Sequence, residues 1–295
     1  MLWRASEADL PRLRGFLAPR VATSMFLSGN LSDFGLSKGS TGDHPKSMTL
    51  WFSEDAGEIR NVFGYANAGY FVFEAPDFNA ELIAPLRQAL SGCELRGLNG
   101  SNAQAKAIVE ALDLPMVSAV MDEAEPHYAL KTANLEVPDG STQLRPALVE
   151  DLDLLTNWRI ASEVEILGGK DAEANRAYAR STLQELLKAD RLRILEEAGQ
   201  PVAMTNFNAS LPSIVQVGGV FTPPEYRGIG HARRAVALHL AEAREAGVQE
   251  AILFAASPAA ARAYEAIGFV RIGDYRIVNF DPPVTLPAIL EEDLS

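Results

Sequence analysis

The sequence predicts a mixed α/β fold arranged as two domains, and three observations carry that expectation. Strand-sized apolar segments alternate with stretches of helical spacing along the chain. The length of 295 residues suits two domains of about 150 residues each. An opening pattern near the N terminus returns near the middle. Hydrophobic residues make up 47% and charged residues 22%, so a sizeable core is expected and disorder is not.

The returning pattern is Trp3-Arg4-Ala5-Ser6-Glu7-Ala8-Asp9-Leu10 and then Leu144-Arg145-Pro146-Ala147-Leu148-Val149-Glu150-Asp151-Leu152. Both read as a short strand followed by a helix with Asp-Leu in its first turns. Keeping Arg4 with Arg145 takes one gap. Pro138-Asp139-Gly140-Ser141-Thr142, just before the second copy, is rich in turn formers. The domain boundary is therefore expected there, giving 1–140 and 141–295.

In the first half, Thr49 to Phe52 reads as a strand and Asp55-Ala56-Gly57 as a turn. Further strands are expected around Val62 and at Tyr70 to Phe73. Phe78 to Leu90 has helical spacing, and Glu94 to Gly97 that of a strand. A helix then runs to about Leu112, with Ser101 or Asn102 as its cap. In the second half, Val149 to Ser162 and Ala172 to Ala189 read as helices. Arg191 to Glu196 and Pro201 to Asn208 make a hairpin around Glu197-Ala198-Gly199-Gln200. Ile214 to Thr222 is a third strand, stopped by Pro223 and Pro224, which cannot donate to a ladder.

The most informative segment follows that strand: Glu225-Tyr226-Arg227-Gly228-Ile229-Gly230-His231-Ala232-Arg233-Arg234. Beyond it, Ala232, Val236, Leu240 and Ala243 share one helical face, and Gly247 ends the helix. Spaced glycines between a strand and a helix let the backbone approach a ligand closely. The helix N terminus and exposed N–H groups suit a phosphate, and Arg227 adds a planar fork of donors. A Walker loop is absent. The dinucleotide fingerprint also fails, because Arg233 stands where its third glycine belongs and the next strand, Ala251 to Ala256, ends in Ser257 with no acidic residue. Ser257 then caps a short helix with Pro258 at its first position; Ala260, Ala263, Tyr264 and Ile267 share a face, and Gly268 ends it.

Together these segments resemble the acyl-CoA-dependent N-acyltransferases of the GNAT superfamily. That family's phosphate motif is arginine or glutamine, two residues, glycine, one residue, then glycine or alanine; Arg227, Gly230 and Ala232 match it. Its later helix carries a tyrosine and is followed by Gly-Phe, matched by Tyr264, Gly268 and Phe269. Asparagine commonly opens that helix, whereas Ser257 stands here, keeping the cap and changing one contact beside the cofactor. The resemblance runs from Leu144 to Phe280. It implies two tandem GNAT-like domains with mixed, mostly antiparallel sheets flanked by helices. The first half is expected to be a degenerate copy that shapes the acceptor site, because Leu95 to Ala103 holds no arginine-glycine equivalent.

The resemblance further implies acetyl-CoA as co-substrate. Its pantetheine arm would pair with backbone near Val220, Phe221 and Thr222. Its pyrophosphate would meet Arg227 and the N–H groups of Gly228, Ile229, Gly230, His231 and Ala232, with Ser257 near by. The reaction would be direct transfer from the thioester to a neutral amine. Tyr264 is the family-matched acid for the leaving thiolate, since an ordinary tyrosine, with a pKa of about 10, holds its proton at neutral pH. The expected acceptor is the primary amine of a small molecule. A protein or peptide amine, or a non-catalytic CoA-binding sensor, are the alternatives. Glu163 and Glu165 lie where the family's acceptor-side helices end, and neither is assigned as base.

Charge and composition narrow the partners. With 26 basic and 39 acidic side chains the formal charge is −13, which argues against wide binding to nucleic acid or an anionic membrane. Cys93 is the single cysteine and the four histidines form no close pair, so neither an intrachain disulfide nor a metal site is expected. The N terminus lacks a signal pattern and no apolar run spans a bilayer, so a cytoplasmic location is expected, as a monomer or homodimer. Glu291 and Glu292 read as a solvated acidic end.

Overall fold

Apolar residues on alternate strand positions and along helix stripes give this chain its layers. The computed structural model describes residues 1–38, 43–167 and 171–287. The first repeat runs β1 (Leu2–Arg4), α1 (Leu10–Leu17), α2 (Val21–Phe34), β2 (Met48–Asp55), β3 (Glu58–Ala66), β4 (Tyr70–Glu74), α3 (Ile83–Ala89), β5 (Glu94–Ser101), α4 (Asn102–Leu112) and β6 (Ala119–Lys131). The second runs β7 (Gln143–Pro146), α5 (Leu152–Leu167), α6 (Glu173–Lys188), β8 (Leu192–Glu197), β9 (Gln200–Leu211), β10 (Ile214–Phe221), α7 (His231–Glu245), β11 (Glu250–Phe254), α8 (Pro258–Glu265) and β12 (Val270–Thr285). The same order of strands and helices is therefore run twice. The acidic tail from Ile289 lies outside the described residues.

The echo between the two openings has a local cause. Asp9 accepts the Ser6 N–H at 2.8 Å, and Asp151 accepts the Leu148 N–H at 2.8 Å. Each carboxylate thus satisfies a donor at the start of a helical segment that has no partner within it. Arg145 adds two donors to Asp151, at 2.7 and 3.0 Å, and holds its carboxyl below the usual range.

The chain forms two compact units, Pro126–Ile272 and the remainder, which joins Met1–Glu125 to the C-terminal segment from Gly273. The sequence expectation set a single division at 140/141; the contacts divide the chain at 125/126 and 272/273. The turn formers at 138–142 do mark a connection, but it is pinned to α7. Arg234 donates to the Pro138 carbonyl, to the Gly140 carbonyl at 2.7 Å and to Thr142 Oγ1 at 2.6 Å. β6 pairs antiparallel with β11, and β12 pairs antiparallel with β5. Neither β6 nor β12 was foreseen from the sequence.

In the first unit the strand order is β1-β2-β3-β4-β5-β12. Leu13, Leu17, Leu27 and Leu31 of α1 and α2 pack with Leu50, Val62 and Val72 on one face, while Leu86, Ile108 and Leu112 pack with Phe63, Phe71, Leu98 and Val278 on the other. The strand at Glu94 continues to Ser101, beyond the expected Gly97, and its helix has no side-chain cap from Ser101. Asn102 Oδ1 is buried and also caps nothing.

In the second unit the order is β7-β8-β9-β10-β11-β6. Val236, Leu240 and Ala243 of α7, with Tyr264 and Ile267, cover Phe207, Val215, Val217 and Leu253. Leu152, Leu155, Trp158 and Leu183 cover Ile194, Met204 and Phe221 on the opposite face. Each such leucine contributes about 1.5–3 kcal/mol by leaving water. Neighbouring strands are antiparallel except for β10 and β11, which pair in parallel through Ile214–Gln216 and Glu250–Ile252. Among the described residues no helix is long and apolar enough to cross a membrane.

One core histidine gives a testable pH dependence. His239 of α7 is stacked on Phe207 at 3.7 Å between ring centroids. Burial first, and then the charge of Arg193, push its pKa down to about 3. The unfolded chain takes up this proton near pH 6.5 and the folded chain does not, so stability falls as pH drops through that window. Between pH 7 and 5, His239→Leu is expected to lose about 2 kcal/mol less stability than the parent, read by urea unfolding at both values. Equal losses would show that this histidine is not held neutral.

Candidate active site

The parallel pairing of β10 with β11 is short, and it sets up the site. No rung joins these strands beyond Gln216 and Ile252. β10 instead follows β9, with register shifts between Gln216 and Val217 and between Gly218 and Phe221. Pro223 and Pro224 then end it. Val220 to Thr222 therefore lie where β10 has parted from β11, and the turn leading to α7 follows them.

A cavity of about 590 Å³ occupies this place. Val220, Phe221 and Thr222 line it from the strand. Arg227, Gly228, Ile229, Gly230, His231 and Ala232 line it from the turn and the first turn of α7. Tyr264, with Ala259, Ala260 and Ala263, lines it from α8. The structure thus brings together every expected cofactor-side residue except Ser257. That residue does not border the cavity; its Oγ accepts the Ala260 N–H at 3.2 Å, so it serves α8 as a cap.

The turn owes its shape to two glycines. Gly228 has φ +85° and Gly230 φ +93°, in the region that side chains disfavour. Gly230 is the N-cap of α7 and has left-handed geometry. The first bond into the helix runs from the Arg234 N–H to the Gly230 carbonyl at 3.0 Å, so the N–H groups of the first turn have no acceptor within the helix.

Polar side chains around the cavity are also short of partners. Thr222 Oγ1, His231 Nε2 and Arg233 Nε are buried without a hydrogen bond. His231 Nε2 lies 3.7 Å from Glu197 Oε2. A surplus of unsatisfied donors around a cavity suits an anionic, multiply accepting ligand, because buried donors cost free energy until they are met.

Arg227 is held on three sides. Its Nε donates to the Thr222 carbonyl at 2.8 Å, and its Nη1 and Nη2 donate to Glu165 Oε1 and Oε2 at 2.8 and 2.7 Å. Its guanidinium carbon lies 5.6 Å from the centre of the Phe221 ring. Glu165 also borders the cavity and is held below the ordinary carboxylate range by this hydrogen-bonded pair. Glu163 does not share that place; it accepts from Arg159 on its own helix at 2.6 Å.

Tyr264 combines core packing with a position on the cavity wall. It is buried, packs edge-on against Phe269 at 6.1 Å, and belongs to the cluster under α7. Gly268 has φ +101°, and a Cβ there would stand 2.6 Å from the Asn134 carbonyl oxygen. The Gly-Phe pair is therefore explained by chain packing behind the site. Cys93 lies in the other unit, and burial pushes its thiol up, away from a reactive thiolate. Among the described residues no group of three or more His, Cys, Asp or Glu side chains is placed to hold a metal ion.

In the first unit the corresponding turn, by order of elements, is Ala75 to Leu82, between β4 and α3. The sequence comparison used Leu95 to Ala103, which lies one connection later. Ala75-Pro76-Asp77-Phe78-Asn79-Ala80-Glu81-Leu82 contains neither arginine nor glycine. Gln104 of α4 holds the end of β4: its Oε1 accepts the Ala75 N–H at 2.8 Å and its Nε2 donates to Glu74 at 3.2 Å. Thr23 donates to the other oxygen of Glu74 at 2.7 Å, and burial raises this carboxyl's pKa.

No curated protein matches the chain. The model of the acetyltransferase (GNAT) family matches residues 154–269. Among solved structures, a GCN5-related N-acetyltransferase from Kribbella flavida aligns with a TM-score of 0.57 at 17% identity, covering 90% of this chain and 95% of that one. An acetyltransferase of the GNAT family from Colwellia psychrerythraea aligns with a TM-score of 0.53 at 16% identity, covering 95% and 99%. A tandem GNAT protein from the clavulanic acid biosynthesis pathway aligns with a TM-score of 0.53 at 11% identity, covering 98% and 99%. The chain shares the fold of these acetyltransferase structures, and residues 154–269 match the model of the acetyltransferase (GNAT) family.

Proposed function

We propose that the second unit transfers an acetyl group from acetyl-CoA to the primary amine of a small molecule, and that the first unit is a degenerate tandem copy. The observation that carries the cofactor assignment is the donor set around the cavity. Val220 to Thr222 border it where β10 has parted from β11, and the N–H groups at the start of α7 have no acceptor within the helix. Such a fixed bed of donors holds a pyrophosphate without reorganising. Thr222 Oγ1 and Arg233 Nε add buried donors that lack protein partners.

Acetyl-CoA supplies an acyl carbon activated by its thioester. The amine nitrogen, once neutral, forms the new C–N bond as the C–S bond breaks. Its proton leaves to a base or to water, and the Tyr264 hydroxyl donates a proton to the departing sulfur. Holding both reactants in one cleft supplies much of the rate. In the first unit, Gln104 already takes the N–H at the end of β4, and the turn that follows has no arginine-glycine motif. Both observations support one cofactor site per chain.

Calorimetric titration with acetyl-CoA tests the reading. Saturation near one equivalent is expected, and Arg227→Ala should weaken binding about tenfold with little change in melting temperature. Two equivalents would restore a working site to the first unit. No binding by folded protein would sink the cofactor assignment. A panel of small amines and peptides then addresses the acceptor, and activity on peptides alone would rule out the small-molecule reading.

A further inference from the structure

The arginine of the phosphate motif already has an anion on it. Glu165 places both carboxylate oxygens on Arg227 Nη1 and Nη2, at 2.8 and 2.7 Å, which is the fork geometry a phosphate would adopt. Both residues border the cavity, and Glu165 is the one carboxylate among the described residues that line it. Its pairing is not a by-product of helix surface chemistry. Glu163, two residues earlier on α5, bonds Arg159 of its own helix, whereas Glu165 reaches across 62 positions of sequence.

We propose that Glu165 is an intramolecular counter-anion of the cofactor site, exchanged on Arg227 for the cofactor pyrophosphate, and so a residue that sets cofactor affinity. The inference rests on the acetyl-CoA reading given above. Two effects act in the same direction. An arriving diphosphate has to take over donors that the carboxylate holds, and the displaced carboxylate stays beside the incoming negative charge. Glutamine at this position keeps the length of the side chain, removes its charge and leaves one accepting oxygen in place of two, so it weakens both effects. If Glu165 served only to orient Arg227, the same change would weaken binding, so the sign of the effect decides.

The experiment compares acetyl-CoA titrations of the parent, Glu165→Gln, Arg227→Ala, the Glu165→Gln/Arg227→Ala double variant and Glu163→Gln. Glu165→Gln is expected to bind about three- to fivefold tighter, the scale of one exposed ion pair. The gain should vanish when Arg227 is alanine, and Glu163→Gln should bind as the parent does. Unchanged or weaker binding by Glu165→Gln overturns the proposal while a binding parent leaves the acetyl-CoA reading in place. An equal gain in Glu163→Gln, or a gain that persists without Arg227, also overturns it, since net charge would then be the cause. Absence of binding by both the parent and Glu165→Gln overturns both readings.

Discussion

Tyr264→Phe is expected to lower kcat by at least about 100-fold, the usual contribution of a positioned general acid. Acetyl-CoA affinity should change less than about threefold. The ring stays, so its packing with Phe269 and the cluster under α7 stays with it. Only the hydroxyl is lost. Separate measurement of equilibrium binding and turnover distinguishes the two roles, because a purely structural tyrosine moves neither. Full turnover by the variant would remove Tyr264 from the chemistry and leave it as core.

Gly268→Ala should have the largest effect on stability, about 2–4 kcal/mol, read as a lower urea midpoint. The φ of +101° is unfavourable for alanine, and the new Cβ would stand 2.6 Å from the Asn134 carbonyl oxygen and 3.0 Å from Leu130 Cδ1. The first of these is backbone and has little room to yield. Gly247→Ala is the matched control: its φ is +98°, but a Cβ there meets nothing within 4 Å. It should cost only the conformational part, about 1 kcal/mol. Equal losses in the two variants would show that dihedral strain, and not the contact with Asn134, accounts for Gly268.

The lining of the cavity was legible in the sequence because its elements lie close together along the chain. A strand stopped by prolines, an arginine, spaced glycines and a helix start lie consecutively from Val220 to Ala232, and backbone N–H groups in such a run point where the local geometry sends them. Tyr264 lines the same cavity from α8, while Ser257, expected near the cofactor, caps α8 and does not border the cavity. Glu165 was visible only as a residue near the end of a helix. Its partner is 62 positions away, and nothing in the spacing of either residue names the other.

By itself, the sequence determined the mixed alternation of elements, most helices and strands, the glycine turn and the Ser257 cap, because each depends on residues within one or two turns of one another, whereas the cap expected at Ser101 or Asn102 did not form. Only the tertiary structure decided how the two units close. Turn formers at 138–142 mark a connection in the chain, but Arg234 pins them to α7, and the pairing of β6 with β11 and of β12 with β5 puts the division at 125/126 and 272/273. Strand pairing joins donors and acceptors far apart in sequence, so the partner of an apolar strand is set by the sheet edge it meets. The pairing of Arg227 with Glu165 and the hold of Gln104 on the end of β4 depend on the same long-range geometry.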